Sequence, residues 1–141
     1  MSAIDKQIDV NVSAADAWDA LHDVSGYPDW IDGVALAYPE GVHRAHLDVE
    51  AGAGRRRLIL VFSDEPDTKV MRWSILEGAD LRGTFTVLAR DGDLARVQAH
   101  VGYTPESAHA AFGGPTGLAQ ADAARNLVQH CLDRLKTHTE R

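Results

Sequence analysis

The fold is decided by the segment TGLAQADAARNLVQHCLDRLKTH, residues 116–138, because its apolar residues recur at helical spacing. These residues share one stripe of the helix and are mostly small: Leu118, Ala121, Ala124, Val128, Cys131 and Leu135. At about 1.5 Å per residue, such a helix is roughly 30 Å long and can cross a whole β-sheet. The segment therefore predicts a long C-terminal helix with one face packed on a sheet.

The sheet is predicted by the roughly seventy residues before residue 105. Six runs there are predicted to be strands, and several of them alternate between apolar and polar residues, the pattern of antiparallel strands with one dry face and one wet face. The runs are Val34–Tyr38, Val42–Glu50, Arg56–Ser63, Lys69–Leu76, Leu81–Ala89 and Ala95–Tyr103. The breaks between them are short and rich in Gly, Pro and Asp. They favour consecutive antiparallel hairpins over parallel crossovers, which need about a dozen residues or more.

The N-terminal part completes the order of elements. An alternating run over residues 4–12 predicts a first strand, and Ser13 with Asp16 forms a near capping box for a short helix over residues 14–23. Pro28 opens a second brief helical turn. The chain therefore predicts an α+β fold, in which a curved antiparallel sheet of about seven strands surrounds one long helix.

The composition bounds the class of protein. A length of 141 residues suits a single domain, residues 1–141, and 45% hydrophobic with 25% charged residues is an ordinary globular balance. The net charge of -7 repels phosphate backbones and anionic lipid surfaces, so nucleic-acid binding and membrane insertion are not expected. Cys131 is the single cysteine, and no segment looks like a signal peptide or a membrane span. We expect a cytoplasmic protein, either a monomer or a homodimer.

The dry face of the predicted sheet indicates an internal cavity. A strongly twisted sheet curves away from a single covering helix at one end, which leaves a gap. The helix stripe is also slight in volume, because Ala121, Ala124 and Cys131 stand where Leu or Phe would fill space. Voids of this kind are usually ligand sites, so we expect the domain to enclose a small hydrophobic molecule.

Several segments resemble those of a known superfamily. After the isoleucine-rich first strand, SAADAW at residues 13–18 and YPDW at residues 27–30 resemble the opening of the SRPBCC superfamily, and WSILEG at residues 73–78 looks like a segment of its bacterial members. That group includes polyketide cyclases and aromatases, coenzyme Q-binding proteins, START lipid-transfer domains and the birch-pollen allergen fold. The resemblance covers essentially the whole chain. It implies a START-like helix-grip fold with a ligand cavity between the sheet and the C-terminal helix.

The superfamily hosts both enzymes and carriers, so two functions remain open. One is a cyclase or dehydratase-like enzyme of natural-product biosynthesis, which holds a polyketide-like intermediate in one folded conformation. The other is a non-catalytic carrier of a quinone or a lipid. We favour the enzyme, although aromatase-type members resemble one another in placing an arginine on an inner strand of the central hairpin. Here residues 58–62 carry no ionisable group, and Arg55, Arg56 and Arg57 lie at the turn end of that strand.

Aromatic side chains are the candidate ligand contacts. Trp73, Phe85 and Tyr103 share the dry parity of their strands, where they either contact an apolar ligand or fill the core. The other candidates lie near the expected mouth of the cavity, or in a loop that would act as its gate: Tyr27, Trp30, Tyr38 and Phe112. As proton donor or acceptor we consider Tyr103 first, and His43 and His109 as alternatives.

Other kinds of site have little support in the sequence. His43 and His46 point to opposite faces of the predicted strand and cannot chelate one ion, so neither a metal nor an organic cofactor is expected. Cys131 is interpreted as a small core residue and not as a nucleophile. The basic tip at residues 52–57 lacks the ending of a phosphate-binding loop, so it is interpreted as a solvated turn. Docking of an acidic carrier protein at this tip is the alternative.

Overall fold

The computed structural model describes residues 2–51, 54–77, 80–104, 106 and 118–141. In these ranges one strand and two short helices precede six strands and a long helix. The strands are β1 (Ser2–Val10), β2 (Val34–Pro39), β3 (Arg44–Ala51), β4 (Gly54–Glu65), β5 (Val70–Glu77), β6 (Leu81–Arg90) and β7 (Leu94–Tyr103). The helices are α1 (Ala14–His22), a 3-10 helix (Val24–Asp29) and α2 (Leu118–Thr139).

The seven strands form one antiparallel sheet in the order β1-β7-β6-β5-β4-β3-β2. Strands β2 to β7 pair with their neighbours in sequence, whereas β1 pairs with β7, so that Ser2 lies opposite Tyr103. This arrangement confirms the predicted helix-grip architecture of a curved antiparallel sheet and a long C-terminal helix.

The core lies between the inner face of the sheet and α2. Strand alternation supplies one half of it, as in β3, where Ala45, Leu47 and Val49 are all buried. The helix supplies the other half through Leu132 and Leu135, each only 1% exposed. The sheet and α2, the two layers predicted from the sequence, therefore pack against each other through one core.

The buried face of α2 differs in part from the predicted stripe. Val128 and Cys131 pack against the core, as predicted, but Ala121 is exposed. Leu132, which lies outside the predicted stripe, is buried instead. The reason is that the buried face follows the i, i+3 and i+4 rows from Ala124 through residues 128, 131, 132 and 135.

Two local predictions are corrected by the structure. Strand β3 begins at Arg44 and not at Val42, because His43 has a φ of 58°, which lies outside the strand region. The second short helix spans Val24–Asp29, so Pro28 lies inside it and does not open it. The predicted cap of α1 is present, since the Asp16 backbone N–H donates to the Ser13 hydroxyl at 3.1 Å.

Candidate ligand cavity

A cavity of about 440 Å³ lies between the sheet and α2, a size typical of small-molecule sites. The inner faces of all seven strands, the segment after α1 and one face of α2 line it. The strands contribute Ile4, Val34, Leu47, Val49, Leu58, Leu60, Met71, Trp73, Ile75, Leu81, Phe85, Ala99, Val101 and Tyr103. The helical segments and the turn that follows the 3-10 helix contribute Tyr27, Trp30, Ile31, Asp32, Ala123, Ala124, Leu127, Val128, Cys131 and Leu132. Small helix residues thus face a broad apolar sheet, and space remains between them.

Connected aromatic rings form part of the cavity wall. The Phe85 ring centroid lies 6.1 Å from that of Trp73, with the two ring planes inclined by 28°, and 6.1 Å from that of Trp30. Tyr27 meets Trp30 edge-on at 5.5 Å. The Trp73 ring lies close above Gly83, whose missing side chain leaves room for it. The wall therefore offers flat apolar surfaces suited to a ring system.

Few polar atoms line this cavity. The Tyr27 hydroxyl donates to the Leu21 carbonyl at 2.5 Å, and burial, together with the nearby charges of Asp23 and Asp64, raises the pKa of Tyr27 above its ordinary value. Tyr103 is 3% exposed, and its hydroxyl makes no hydrogen bond within the described part of the chain. Of the two tyrosines, Tyr103 is therefore the one whose proton remains available to a ligand.

Asp32 is the only carboxylate in the cavity lining as far as the structure describes it. Its oxygens accept hydrogen bonds from His130 Nδ1 at 2.6 Å and from the Arg134 guanidinium. Desolvation raises the pKa of Asp32, but the hydrogen bonds from His130 and Arg134 outweigh it and hold this pKa below the usual 3.8. Asp32 is therefore ionised near neutral pH and hydrogen-bonded to two side chains of α2.

Cys131 faces the cavity from α2. Its sulfur accepts a hydrogen bond from the Asp32 backbone N–H at 3.5 Å, and burial raises the pKa of the thiol. A buried thiol with a raised pKa is a poor nucleophile near neutral pH. The position of Cys131 is therefore consistent with the interpretation of this residue as a small core residue.

Two predicted site residues, Tyr38 and His43, are absent from the described lining of the cavity. Tyr38 is 40% exposed and stacks on His46, with ring centroids 4.5 Å apart, because a bulge in β2 turns it to the outer face. The His43 side chain is 53% exposed in the turn before β3, and its Nε2 lies 3.8 Å from Asp64 Oδ2. Phe112, like the alternative base His109, lies outside the described residues.

Arg56, which the sequence analysis grouped with Arg55 and Arg57 at the turn end of the strand, is an inner-face residue. It pairs across the β3–β4 ladder with Val49, which lines the cavity, and directly opposed residues share a face of the sheet. Arg56 is therefore on the inner side of β4, two residues before Leu58. The signal was present in the sequence, since the alternation of Leu58 and Leu60 extends back to Arg56.

Two further kinds of feature were sought in the described ranges, a cluster of metal ligands and a membrane-spanning helix. No group of three or more His, Cys, Asp or Glu side chains there is arranged to hold a metal ion. Neither described α-helix combines the length and the apolar run that crossing a bilayer requires.

An antiparallel sheet that grips a long helix around an apolar cavity defines the START-like helix-grip class. The sequence profile of the family described as polyketide cyclase / dehydrase and lipid transport matches residues 1–140, so the chain belongs to that family. No curated protein sequence matches the chain significantly.

Solved structures share the fold at low sequence identity. The Zhui aromatase/cyclase from a Streptomyces species is 17% identical, with a TM-score of 0.73 over 99% of this chain and 94% of that one. A START superfamily protein from Mycobacterium smegmatis is 15% identical, with a TM-score of 0.76 over 98% of this chain and 97% of that one. The di-domain ARO/CYC BexL is 19% identical, with a TM-score of 0.75 over 99% of this chain and 47% of its own.

Proposed function

We propose that the protein is a cyclase or dehydratase-like enzyme that binds a polyketide-like intermediate in its cavity. The observation that carries the proposal is the 440 Å³ apolar cavity with its connected aromatic wall. Holding a flexible chain with its reacting atoms close together lowers the barrier by several kcal/mol, even where few catalytic groups are present. The family description and the two aromatase/cyclase structures support this reaction class.

Tyr103 is the proposed proton donor to a substrate carbonyl oxygen. It lines the cavity, is nearly fully buried, and has a hydroxyl with no partner among the described residues. A positioned acid contributes about 10²–10⁴-fold in rate. Acid–base groups and confinement are sufficient for this proposed chemistry, so we expect turnover to survive exhaustive chelation.

A carrier of a quinone or a lipid is the second candidate. The observation that favours it is the engagement of polar groups in the lining, since the Tyr27 hydroxyl is bound to a backbone carbonyl and Asp32 to His130 and Arg134. A carrier needs the apolar cavity but no acid or base, and the family description includes lipid transport.

A pair of substitutions on α2 tests whether the cavity binds ligand. Ala124 lines the cavity, whereas Ala121 is exposed on the same helix. Ala124→Phe is expected to fill the cavity and weaken the binding of Nile red at least about tenfold, while Ala121→Phe leaves it unchanged. Fluorescence titration gives both affinities, and circular dichroism confirms the fold. Equal affinity in the two variants would mean that the dye binds elsewhere and that the proposal is wrong.

Turnover separates the enzyme from the carrier. Tyr103→Phe removes the proposed acid and keeps the ring, and Tyr38→Phe is the matched control because Tyr38 lies outside the cavity lining. We expect Tyr103→Phe to lower kcat about 10²-fold or more with little change in dye affinity. An unchanged kcat contradicts the role of Tyr103. Recovery of the bound polyketide intermediate without any conversion selects the carrier.

A further inference from the structure

His22, the last residue of α1, lies between two hydrogen-bond acceptors. Its Nδ1 is 2.8 Å from the Trp18 carbonyl oxygen, and its Nε2 is 2.9 Å from Oδ1 of Asp64. A backbone carbonyl and an ionised carboxylate only accept hydrogen bonds, whereas a neutral imidazole donates from one nitrogen and accepts at the other. With a proton on Nδ1 alone, the lone pair of Nε2 would face a carboxylate oxygen. Both hydrogen bonds therefore form together only when His22 is an imidazolium.

The surroundings of His22 favour a positive charge. Asp64 lies on the inner face of β4, because it pairs with Met71 of the cavity lining, and its side chain is only 15% exposed. A carboxylate in this position needs a cationic partner, and of the two groups the imidazole is the stronger base. His22 also lies at the C-terminal end of α1, where the helix dipole favours cations, and its ring centroid is 4.5 Å from that of Trp18.

The pair of His22 and Asp64 holds the segment that forms one side of the cavity. Tyr27 and Trp30 line the cavity and follow α1 directly in the 3-10 helix and the turn after it. The Tyr27 hydroxyl donates to the carbonyl of Leu21, the residue before His22. The charge of Asp64 contributes to the raised pKa of Tyr27, so the pair is close to the cavity wall. Loss of the bond between His22 and Asp64 would therefore loosen the start of this wall segment.

We propose that His22 and Asp64 form a proton-dependent latch that makes the ligand affinity of the cavity depend on pH. This inference rests on the proposed function, because it describes the regulation of the same cavity. The latch is complete while Asp64 is ionised and His22 is protonated. As the pH rises and His22 becomes neutral, one of its two hydrogen bonds is lost, the wall segment loosens, and the affinity for ligand falls.

Other ionisable side chains face the latch from neighbouring segments. His43, in the turn before β3, has its Nε2 3.8 Å from Asp64 Oδ2, but its side chain is 53% exposed. The Lys69 Nζ lies 6.0 Å from the centroid of the indole ring that packs on His22. Asp23 follows His22 directly in the chain. In the described part of the chain, His22 is the one cation within hydrogen-bonding distance of Asp64, so its proton controls the latch.

The charge of His22 is tested by ¹⁵N spectra of the histidine rings in the unaltered protein. His22→Gln identifies the His22 signals among those of the seven histidines. We expect both ring nitrogens of His22 to show the shifts of protonated nitrogen at neutral pH, and Asp64→Asn to return one of them to the unprotonated form. Bound Nile red should raise the pH at which the second proton is lost, because the coupling between proton and ligand is reciprocal.

The coupling is measured by fluorescence titration with Nile red at about pH 6 and about pH 9. We expect the wild type to bind the dye about fivefold more weakly at the higher pH. His22→Gln should bind weakly and equally at both, and circular dichroism confirms its fold. His100→Gln is the matched control, because His100 forms an exposed pair with Asp5 outside the latch and the cavity lining. This variant should keep the pH dependence.

The outcomes separate the latch from the function on which it rests. A neutral His22 at neutral pH overturns the latch, and this measurement on the unaltered protein stands even where a substitution destabilises the fold. A pH dependence that persists in His22→Gln, or its absence in the wild type, overturns the latch and leaves the apolar ligand site intact. Failure of the wild type to bind Nile red at either pH overturns the proposed function together with the latch.

Discussion

Gly83 is a position in the sheet with no room for a side chain. It lies opposite Val101 in the β6–β7 ladder, and an added Cβ would lie 2.0 Å from the His100 carbonyl oxygen. The same Cβ would lie 2.9 Å from Cζ2 of Trp73 in the cavity wall. Because the oxygen belongs to the backbone, only a displacement of β6 relative to β7 relieves the contact.

Gly83→Ala is therefore expected to be strongly destabilising. Overpacking by one methyl group costs about 1–3 kcal/mol, and each ladder hydrogen bond weakened by the displacement adds up to about 1 kcal/mol. We expect the free energy of unfolding to fall by about 3 kcal/mol. For a domain of this size, such a change lowers Tm by roughly 10 °C.

Urea unfolding followed by circular dichroism measures this loss. Gly54→Ala is the matched control, because an added Cβ there has no atom of the described residues within 4 Å, and its effect should stay within about 0.5 kcal/mol. Tryptophan fluorescence gives a second readout, since the added methyl group also presses on the Trp73 ring of the neighbouring strand β5. A Gly83→Ala protein as stable as the Gly54→Ala protein would refute the reasoning.

Three further predictions concern ionisable groups of the cavity. Asp32→Asn should lower the free energy of unfolding at neutral pH, because ionised Asp32 stabilises the wild type above pH 3.8. This stabilisation is lost as the pH falls through the lowered pKa of the native state, so the urea midpoints of wild type and variant should converge in strong acid. Equal midpoints at neutral pH would contradict the prediction. Burial raises the pKa of Tyr27, so the contribution of Tyr27 to the free energy of unfolding is complete below pH 10 and is lost as the pH rises further. Tyr27→Phe should therefore reduce the loss of stability at alkaline pH. If the variant and the wild type lose stability equally between neutral and alkaline pH, Tyr27 is not the group responsible. Cys131, whose pKa is raised by burial, should react with a disulfide reagent more slowly than a free thiol, and bound Nile red should slow the reaction further. A rate that the dye does not change would place the dye outside the cavity.

The sequence was sufficient to place most of the sheet and the long helix. Burial in a half-buried strand alternates with period two, and burial on a helix recurs every three to four residues, so the change of period marks the boundary between them. The same alternation assigned Trp73, Phe85 and Tyr103 to the inner face, where they line the cavity. Their roles in binding and chemistry remain predictions.

The positions of Tyr38, His43 and Asp32 depend on local and long-range geometry that the alternation of apolar and polar residues does not show. A bulge between Val34 and Leu36 changes the parity of β2, so Tyr38 faces outward. His43 occupies a left-handed turn conformation, which is uncommon for residues other than glycine. The ion pairs of Asp32 could not be predicted from local sequence patterns, because its partners, His130 and Arg134, lie about a hundred residues further along the chain.

The pairing of β1 with β7 also determines when the cavity can exist. Strands β2 to β7 are joined by short connections and can assemble early, but β1 must wait for a partner about a hundred residues away. Ile4 and Leu132 both line the cavity, so its wall closes only after the first strand and the last helix have docked. Before these two elements dock, the cavity is incomplete and cannot enclose a ligand. Since the ligand stabilises contacts that form at the end of folding, we expect it to slow unfolding far more than it speeds folding.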